Sequence, residues 1–296
     1  MVYLSILVTN IYHFGHNFGK NISMVQTIFI TGTSSGLGKL TAIHFAQKGW
    51  NVAATMRSPE TETELTGFPN IKVFKLDVTQ ATMVATAVRD VISTFGKIDI
   101  VLNNAGIGMY GALELTDDAD IEKQFAVNVK GVINVIRAFL PHLRANRSGK
   151  IINISSVMGI STALPLGSLY NMSKFALEGL IEGLTFELKP LNIDLHLVEP
   201  GGFGSAFGEN VTFSQSEIIK DYDVITSKVS AVLKAASGDG MKVTPQPIVD
   251  EIYALAMGKN TAFRTVVGKD AKMVVFLRKL LPIKSFLNLS GKKFIS

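Results

Sequence analysis

Apolar residues fall along this chain in two alternating rhythms. Short β-branched runs, apolar on both faces, read as strands: VQTIFIT, NVAATM, IKVFKLD, IDIVLNN, GKIINISS and NIDLHLVEP. Between them lie stretches with helical spacing. These are LGKLTAIHFAQKG closed by Gly49, TQATMVATAVRDVISTFG, residues 118–144 ending near Pro141, and residues 168–189. Strands that are apolar throughout belong in a sheet covered on both sides, and strand–helix alternation makes that sheet parallel. The rhythm continues unbroken to Pro200, which predicts one α/β domain. It lapses over residues 202–245, a mostly irregular stretch with several aromatics that is expected to form a lid or binding loop.

Composition narrows the function classes. A chain of 296 residues with 47% hydrophobic and 18% charged side chains can build a sizeable core and is not a disordered chain. It has no cysteine, which excludes disulfides, thiolate metal sites and a cysteine nucleophile. The five histidines are scattered apart from His13 and His16, so no metal site is expected. The formal charge is +5, and basic residues crowd the C-terminal part: Arg264, Lys269, Lys272, Arg278, Lys279, Lys284, Lys292 and Lys293 against Asp270. Without a helix-turn-helix, RNP-like or zinc-finger signature, nucleic-acid binding is not expected. A solvated basic helix is the default, and a weak contact with an anionic membrane surface is the sharper alternative.

The N-terminal apolar stretch is short and broken by Thr9, Asn10 and His13. It lacks a basic flank and a cleavage site, so it makes a poor signal peptide, and it is too interrupted to span a bilayer. Residues 1–23 are therefore expected to be a poorly ordered extension. The domain is expected over 24–270, with a basic tail or helix over 271–296. A cytoplasmic location follows, membrane-peripheral if the basic end touches lipid.

The first strand runs straight into TGTSSGLGK, with Gly32, Gly36 and Gly38 at the opening of a helix. Glycines there let the backbone approach a pyrophosphate at a helix N-terminus, although a plain tight turn has the same composition. The spacing is Gly-x-x-x-Gly-x-Gly. The second strand ends ATMRSPE, without the carboxylate that bonds a ribose 2′-hydroxyl in NAD binders. Arg57 follows instead, where a guanidinium can pair with a 2′-phosphate or simply sit exposed in a loop. In SLYNMSKFALEG, Tyr170 and Lys174 share one helix face. A bare Tyr-x-x-x-Lys is common by chance and reads equally well as a surface hydrogen bond.

Four motifs occur in order: TGTSSGLG (31–38), NNAG (103–106), YNMSK (170–174) and PG (200–201). Together they resemble the short-chain dehydrogenase/reductases over roughly residues 25–270. ATMR with a hydrophobic C-terminal half is most similar to the hydroxysteroid-dehydrogenase-like branch. The resemblance implies a single-domain Rossmann fold, a doubly wound parallel sheet with helices on both faces. It implies that Tyr170 is the general acid for ketone reduction and the base for alcohol oxidation. Lys174 would bond the nicotinamide ribose and lower the phenol pKa. Ser156 would hold the substrate oxygen, and Asn128 would anchor a water relay behind the lysine. Gly32, Thr33, Ser34, Ser35, Gly36, Leu37 and Gly38 would cradle the cofactor, with Arg57 beside them. Asp77 and Val78 would meet the adenine, Asn104, Ala105 and Gly106 would line the cofactor, and Pro200 and Gly201 would flank the nicotinamide.

Two departures stand out. Ser156 lies fourteen residues before Tyr170, one more than the family usually shows, so Ser155 competes with it. After PG the family often has a threonine, whereas this chain reads PGGFGSAF with Ser205 as a substitute.

These residue types suit hydride chemistry. A phenol titrates near 10, and an adjacent ammonium together with an oxidised nicotinamide favours its ionised form, each unit being worth about 1.4 kcal/mol. NADP(H) is the favoured cofactor and NAD(H) is admissible. Phe203, Phe207, Phe213 and Tyr222, with Met109, Tyr110, Leu164 and Leu166, predict a pocket for an apolar steroid-, retinoid- or lipid-like alcohol or carbonyl. The same aromatics could instead pack the lid onto the sheet. The resemblance also implies a homodimer or homotetramer built from 118–144 and 168–189, with Ile133, Ile136, Phe139 and Phe175 as apolar positions beyond one core stripe. The competing readings are a non-catalytic dinucleotide-sensing module, which commonly lacks the tyrosine or lysine, and a nucleotide-sugar dehydratase or epimerase, which usually needs a larger C-terminal domain.

Overall fold

A computed structural model of the chain describes residues 25–202, 211–213, 219–235 and 244–295. The extension read over 1–23, and Phe203, Ser205 and Phe207, lie outside the described residues.

Strand β1 (Thr27–Thr31) leads through the glycine turn into α1 (Gly36–Gln47), and β2 (Asn51–Met56) returns beside β1. β3 (Ile71–Lys75) pairs outside β2, α2 (Ala81–Phe95) crosses back, and β4 (Ile100–Asn103) pairs with the other side of β1. A short β5 (Gly108–Tyr110) precedes α3 (Asp118–Phe125), a π-helical segment (Ala126–Lys130) and α4 (Gly131–Asn146). Then come β6 (Gly149–Ile154), α5 (Ser168–Leu188) and β7 (Ile193–Pro200). The chain closes with β8 (Val211–Phe213), α6 (Asp223–Ala235), α7 (Gln246–Ala256), β9 (Arg264–Val267), α8 (Lys269–Leu280) and α9 (Ile283–Ile295). The main sheet is parallel, in the order β3-β2-β1-β4-β6-β7-β9. This is the doubly wound fold.

The period-two alternation of strand side chains divides the core into two layers. Phe29, Val101, Ile151 and Leu197 point to the layer filled by α2, α4 and α5. Ile28, Ile30, Val52 and Val198 point to the layer filled by α1 and α7. Phe29 and Phe139 meet edge to face at 4.7 Å. Each fully buried side chain of this size contributes roughly 1.5–3 kcal/mol.

Three features depart from the sequence reading. Pro141 sits inside α4 instead of ending it. It lies on the exposed face, where the carbonyl it leaves without an N–H partner can be solvated. Within 202–245, read as mostly irregular, the described residues carry β8, which pairs in parallel with β5, and helix α6, while 203–210, 214–218 and 236–243 lie outside the described residues. Ile136 and Phe139 belong to the core and are not available to a partner, whereas Phe125 and Phe175 are exposed.

At the C-terminal end, Ala271 and Phe286 are buried, while Met273, Phe276 and Leu280 form an outward stripe on α8 that is 58%, 60% and 64% exposed. Exposed Lys272 and Lys279 flank that stripe. Among the described residues no helix is long and apolar enough to cross a membrane.

Candidate active site

A parallel sheet brings the C-terminal ends of all its strands to one edge. Strand order reverses between β1 and β4, which opens a crevice there. The glycine turn fills that point. The N–H groups of Gly32 and Thr33 both donate to the Thr55 carbonyl at 3.0 Å, tying the turn to β2. Asn104 Nδ2 donates to the carbonyls of Thr31 and Gly32 at 2.8 and 3.0 Å, and Thr31 Oγ1 accepts from the N–H groups of Asn104 and Ala105 at 3.0 Å each. Gly32 adopts φ +72°, where glycine is favoured. A Cβ on Gly38 would stand 2.2 Å from the Gly32 carbonyl oxygen and 2.5 Å from Asn104 Nδ2, so no side chain enters without displacing the turn.

Ser34 and Ser35 are exposed ahead of α1, whose first turn has neither an acidic residue nor a side-chain cap. Its N–H groups and positive dipole end are left for an anion. This cradle, which added side chains would fill, fits the pyrophosphate of a dinucleotide. Arg57 is exposed at the end of β2 and, among the described residues, has no ion-pair partner. Asp77 follows β3 and accepts from the N–H and hydroxyl of Thr79 at 2.9 and 2.7 Å, while Val78 packs under Gly131. Pro200 ends β7. A Cβ on Gly201 would lie 2.4 Å from the Asp270 carboxylate, which accepts the Gly202 N–H at 2.7 Å.

Helix α5 delivers Tyr170 and Lys174 to the same edge, one turn apart and only 5% and 6% exposed. Lys174 Nζ donates to the Ile154 carbonyl at 2.8 Å and stands 5.9 Å from the centre of the Tyr170 ring. The Ser156 hydroxyl is hydrogen-bonded to Tyr170 and accepts the Met158 N–H at 3.1 Å. Ser155 is buried against Gly159, and its hydroxyl has no hydrogen-bond partner among the described residues. Of the two serines that the spacing left open, Ser156 is the one hydrogen-bonded to Tyr170. Asn128 comes from the π-helical segment, a distortion frequent at functional sites. Its amide accepts from the Ile107 N–H and donates to the Ile107 carbonyl, both at 2.9 Å, and donates to Ser173 Oγ at 3.0 Å. It therefore clamps the strand β4 exit to α5. Gly106 leaves both groups approachable, because a Cβ there would stand 3.5 Å from Asn128 Oδ1 and 3.8 Å from Lys174 Nζ.

Burial dominates the electrostatics. It pushes the Tyr170 phenol up to about 12, against the pull of the Ser156 hydrogen bond. It brings the Lys174 ammonium down to about 8, against the charge of Glu178. In the chain by itself the phenol is therefore not lowered, as the lysine's proximity had suggested. It is a protonated donor at neutral pH.

The wall beside the phenol is apolar. Tyr110 stacks on Tyr170 at 5.7 Å with 28° between the rings, and Phe213 follows at 6.4 Å from Tyr110. Val157, Met158, Leu164 and Val274 complete it. Val274 and Asp270 come from α8, which the motifs did not single out. Their signal lay only in the helical spacing of a segment read for its basic residues.

A family model described as short chain dehydrogenase matches residues 26–215. The chain is 37% identical over 244 residues to the 3-ketodihydrosphingosine reductase of Bacteroides thetaiotaomicron, covering 82% of this chain and 88% of that one. Its fold is similar to that of a short-chain dehydrogenase from Streptomyces avermitilis, with a TM-score of 0.77 and 30% identity over 91% of this chain and 97% of that one. It is also similar to ElxO with NADP bound, with a TM-score of 0.67 and 26% identity over 82% and 96% of the two chains.

Proposed function

We propose that this chain, which belongs to the short-chain dehydrogenase family and is an oxidoreductase, reduces the ketone of an apolar, lipid-like substrate with NADPH. The observation that carries the reading is the buried Tyr170–Ser156 hydrogen bond beside Lys174, facing an apolar wall at the mouth of the glycine cradle. The dinucleotide would be held by residues 32–38 and 104–106 with Lys174, and when bound it supplies the hydride. Ser156 orients the carbonyl oxygen, Tyr170 O–H donates the proton to it, and Lys174 holds a positive charge next to the developing phenolate. A protonated phenol is the form that reduction requires of Tyr170. The relative named for a sphingoid ketone supports a long-chain lipid carbonyl. In a panel of carbonyls assayed with NADPH, long-chain ketones should outperform short polar ones of equal reactivity. Faster turnover of the polar set would contradict the assignment.

NADPH should be preferred over NADH by about tenfold to a hundredfold, because a charge-assisted hydrogen bond from Arg57 to a 2′-phosphate is worth roughly 1.5–3 kcal/mol when partly enclosed. Arg57→Ala should remove most of that preference and leave NADH use nearly unchanged. The check is the ratio of kcat/KM values for the two cofactors. An equal loss with both would make Arg57 a loop residue.

Two interaction surfaces accompany this reading. An apolar groove on α3 and α4, lined by Ile121, Phe125, Ala126 and Ile133 between Glu122 and Lys130, suits a second copy of the chain, with exposed Phe175 as a further apolar position. Light scattering at micromolar concentration should report a dimer or tetramer, and Phe125→Glu should shift it toward monomer. A monomeric wild type would refute the assembly. The α8 stripe flanked by lysines suits an anionic lipid surface. Cosedimentation with vesicles containing phosphatidylserine should exceed that with neutral vesicles and fall in Phe276→Ser. Equal binding to both vesicle types would refute the contact.

A further inference from the structure

Behind Tyr170 and Lys174, three segments deliver charges to one buried spot. Glu178 stands one turn after Lys174 on α5, Glu199 lies on β7, and Arg264 lies on the neighbouring β9. Both glutamates are buried, Glu199 completely. Arg264 Nε donates to Glu178 Oε2 at 2.9 Å and stands 3.4 Å from Glu199 Oε1, while Arg264 Nη2 reaches Glu182 at 3.3 Å. One guanidinium thus faces three carboxyl groups. Among the described residues, Glu178 Oε1 and both oxygens of Glu199 receive no hydrogen bond if the two groups are both ionised. The two side chains are nevertheless within hydrogen-bonding reach of each other. Carboxylates hold no proton to donate, and two of them in buried contact cannot both stay charged without a large penalty.

We propose that Glu199 is a carboxylic acid whose O–H donates to Glu178 Oε1, so that the pair carries one negative charge and presents it to Lys174. Glu178 is the ionised member because it holds the guanidinium's hydrogen bond. Burial and the Glu178 charge push Glu199 up to about 7, against Arg264 and Lys279. Together with Glu182 and Lys174 on α5, these are the charged groups, among the described residues, that face the pair from α5, β9 and α8. The charge on Glu178 favours the ammonium of Lys174. The pair also abuts the Ser156 turn, since a Cβ on Gly159 would meet Glu178 Cγ at 3.1 Å. Glu178 and Glu199 touch no reacting atom and act as positioning residues. The shared proton stands independently of the proposed activity, whereas its consequence for Lys174 rests on that reading.

Infrared spectroscopy of the full chain tests the proton without turnover. A buried carboxylic-acid carbonyl band is expected below neutral pH, disappearing with a midpoint near 7. Glu199→Gln should lack that band yet stay folded, because the amide N–H replaces the acid O–H as donor to Glu178. Absence of the band from the wild type, or its persistence in Glu199→Gln, would overturn the shared proton. For the coupling, the alkaline limb of kcat should move to lower pH in Glu199→Gln, where the pair can no longer gain a second negative charge. It should move further in Glu178→Gln, which removes the charge nearest the lysine. Coincident limbs in the wild type and both variants would overturn the coupling while leaving the infrared result to stand by itself.

Discussion

Tyr170→Phe should lower kcat by about 10²–10⁴-fold, the usual contribution of a positioned general acid, and leave NADPH affinity nearly unchanged. The ring that stacks on Tyr110 at 5.7 Å is retained, so the apolar wall and the packing of α5 survive. What is lost is one O–H, the proton donor hydrogen-bonded to Ser156. Burial pushes the phenol up to about 12, so it is protonated at neutral pH, the form that a proton donor needs. Tyr110, the phenol stacked against Tyr170, stands one ring further along the wall and does not occupy the donor's place beside Ser156. Kinetics of the variant against the wild type, with thermal melting to confirm the fold, decide the matter. Activity within about threefold of wild type would remove Tyr170 from the chemistry.

Lys174→Ala should reduce kcat/KM for NADPH by roughly ten- to a hundredfold, as expected for deleting a buried charged donor worth about 1.5–3 kcal/mol. Two roles end together: the charge beside the phenol and a contact that Gly106 leaves open to a ligand. The pH dependence follows from the direction of the shift. Burial lowers Lys174 to about 8, so the ammonium is present below that pH and is lost as pH rises through it. The wild type should therefore lose turnover on the alkaline side of about 8. Lys174→Arg keeps its charge at every working pH, so its alkaline limb should disappear even if its absolute rate is lower. A wild-type profile that stays flat across that region would show that the lysine charge does not limit the reaction.

The fold was legible where apolar runs were long and fully buried. β1, β2, β4, β6 and β7 are strands in the positions their β-branched residues imply. The elements that escaped notice are those defined by distant partners. β9 is four half-buried residues that become a strand only by pairing with β7. β5 and β8 are three residues each and exist through each other. In the site, the glycine turn and the Tyr170–Lys174 spacing are local and could be read directly. Asp270 under Gly201, and the meeting of Glu178, Glu199 and Arg264, join segments far apart in the chain, which no local spacing announces. In the chain by itself, burial raises the Tyr170 phenol, whereas the resemblance implied a lowering by Lys174 together with an oxidised nicotinamide. Proximity to a lysine is visible in sequence, but the depth of burial that raises the phenol is a property of the packed α5.

The central claim, hydride transfer to a lipid ketone with Tyr170 as proton donor, is tested most directly by label transfer. NADPH carrying deuterium on the transferable face of its nicotinamide is incubated with a long-chain 3-ketone and the enzyme, and the alcohol is examined by mass spectrometry. One deuterium is expected on the carbinol carbon, formed in step with NADPH oxidation by the wild type and about 10²–10⁴-fold more slowly by Tyr170→Phe. NADPH oxidation without labelled alcohol, or label appearing equally fast in the variant, would contradict it.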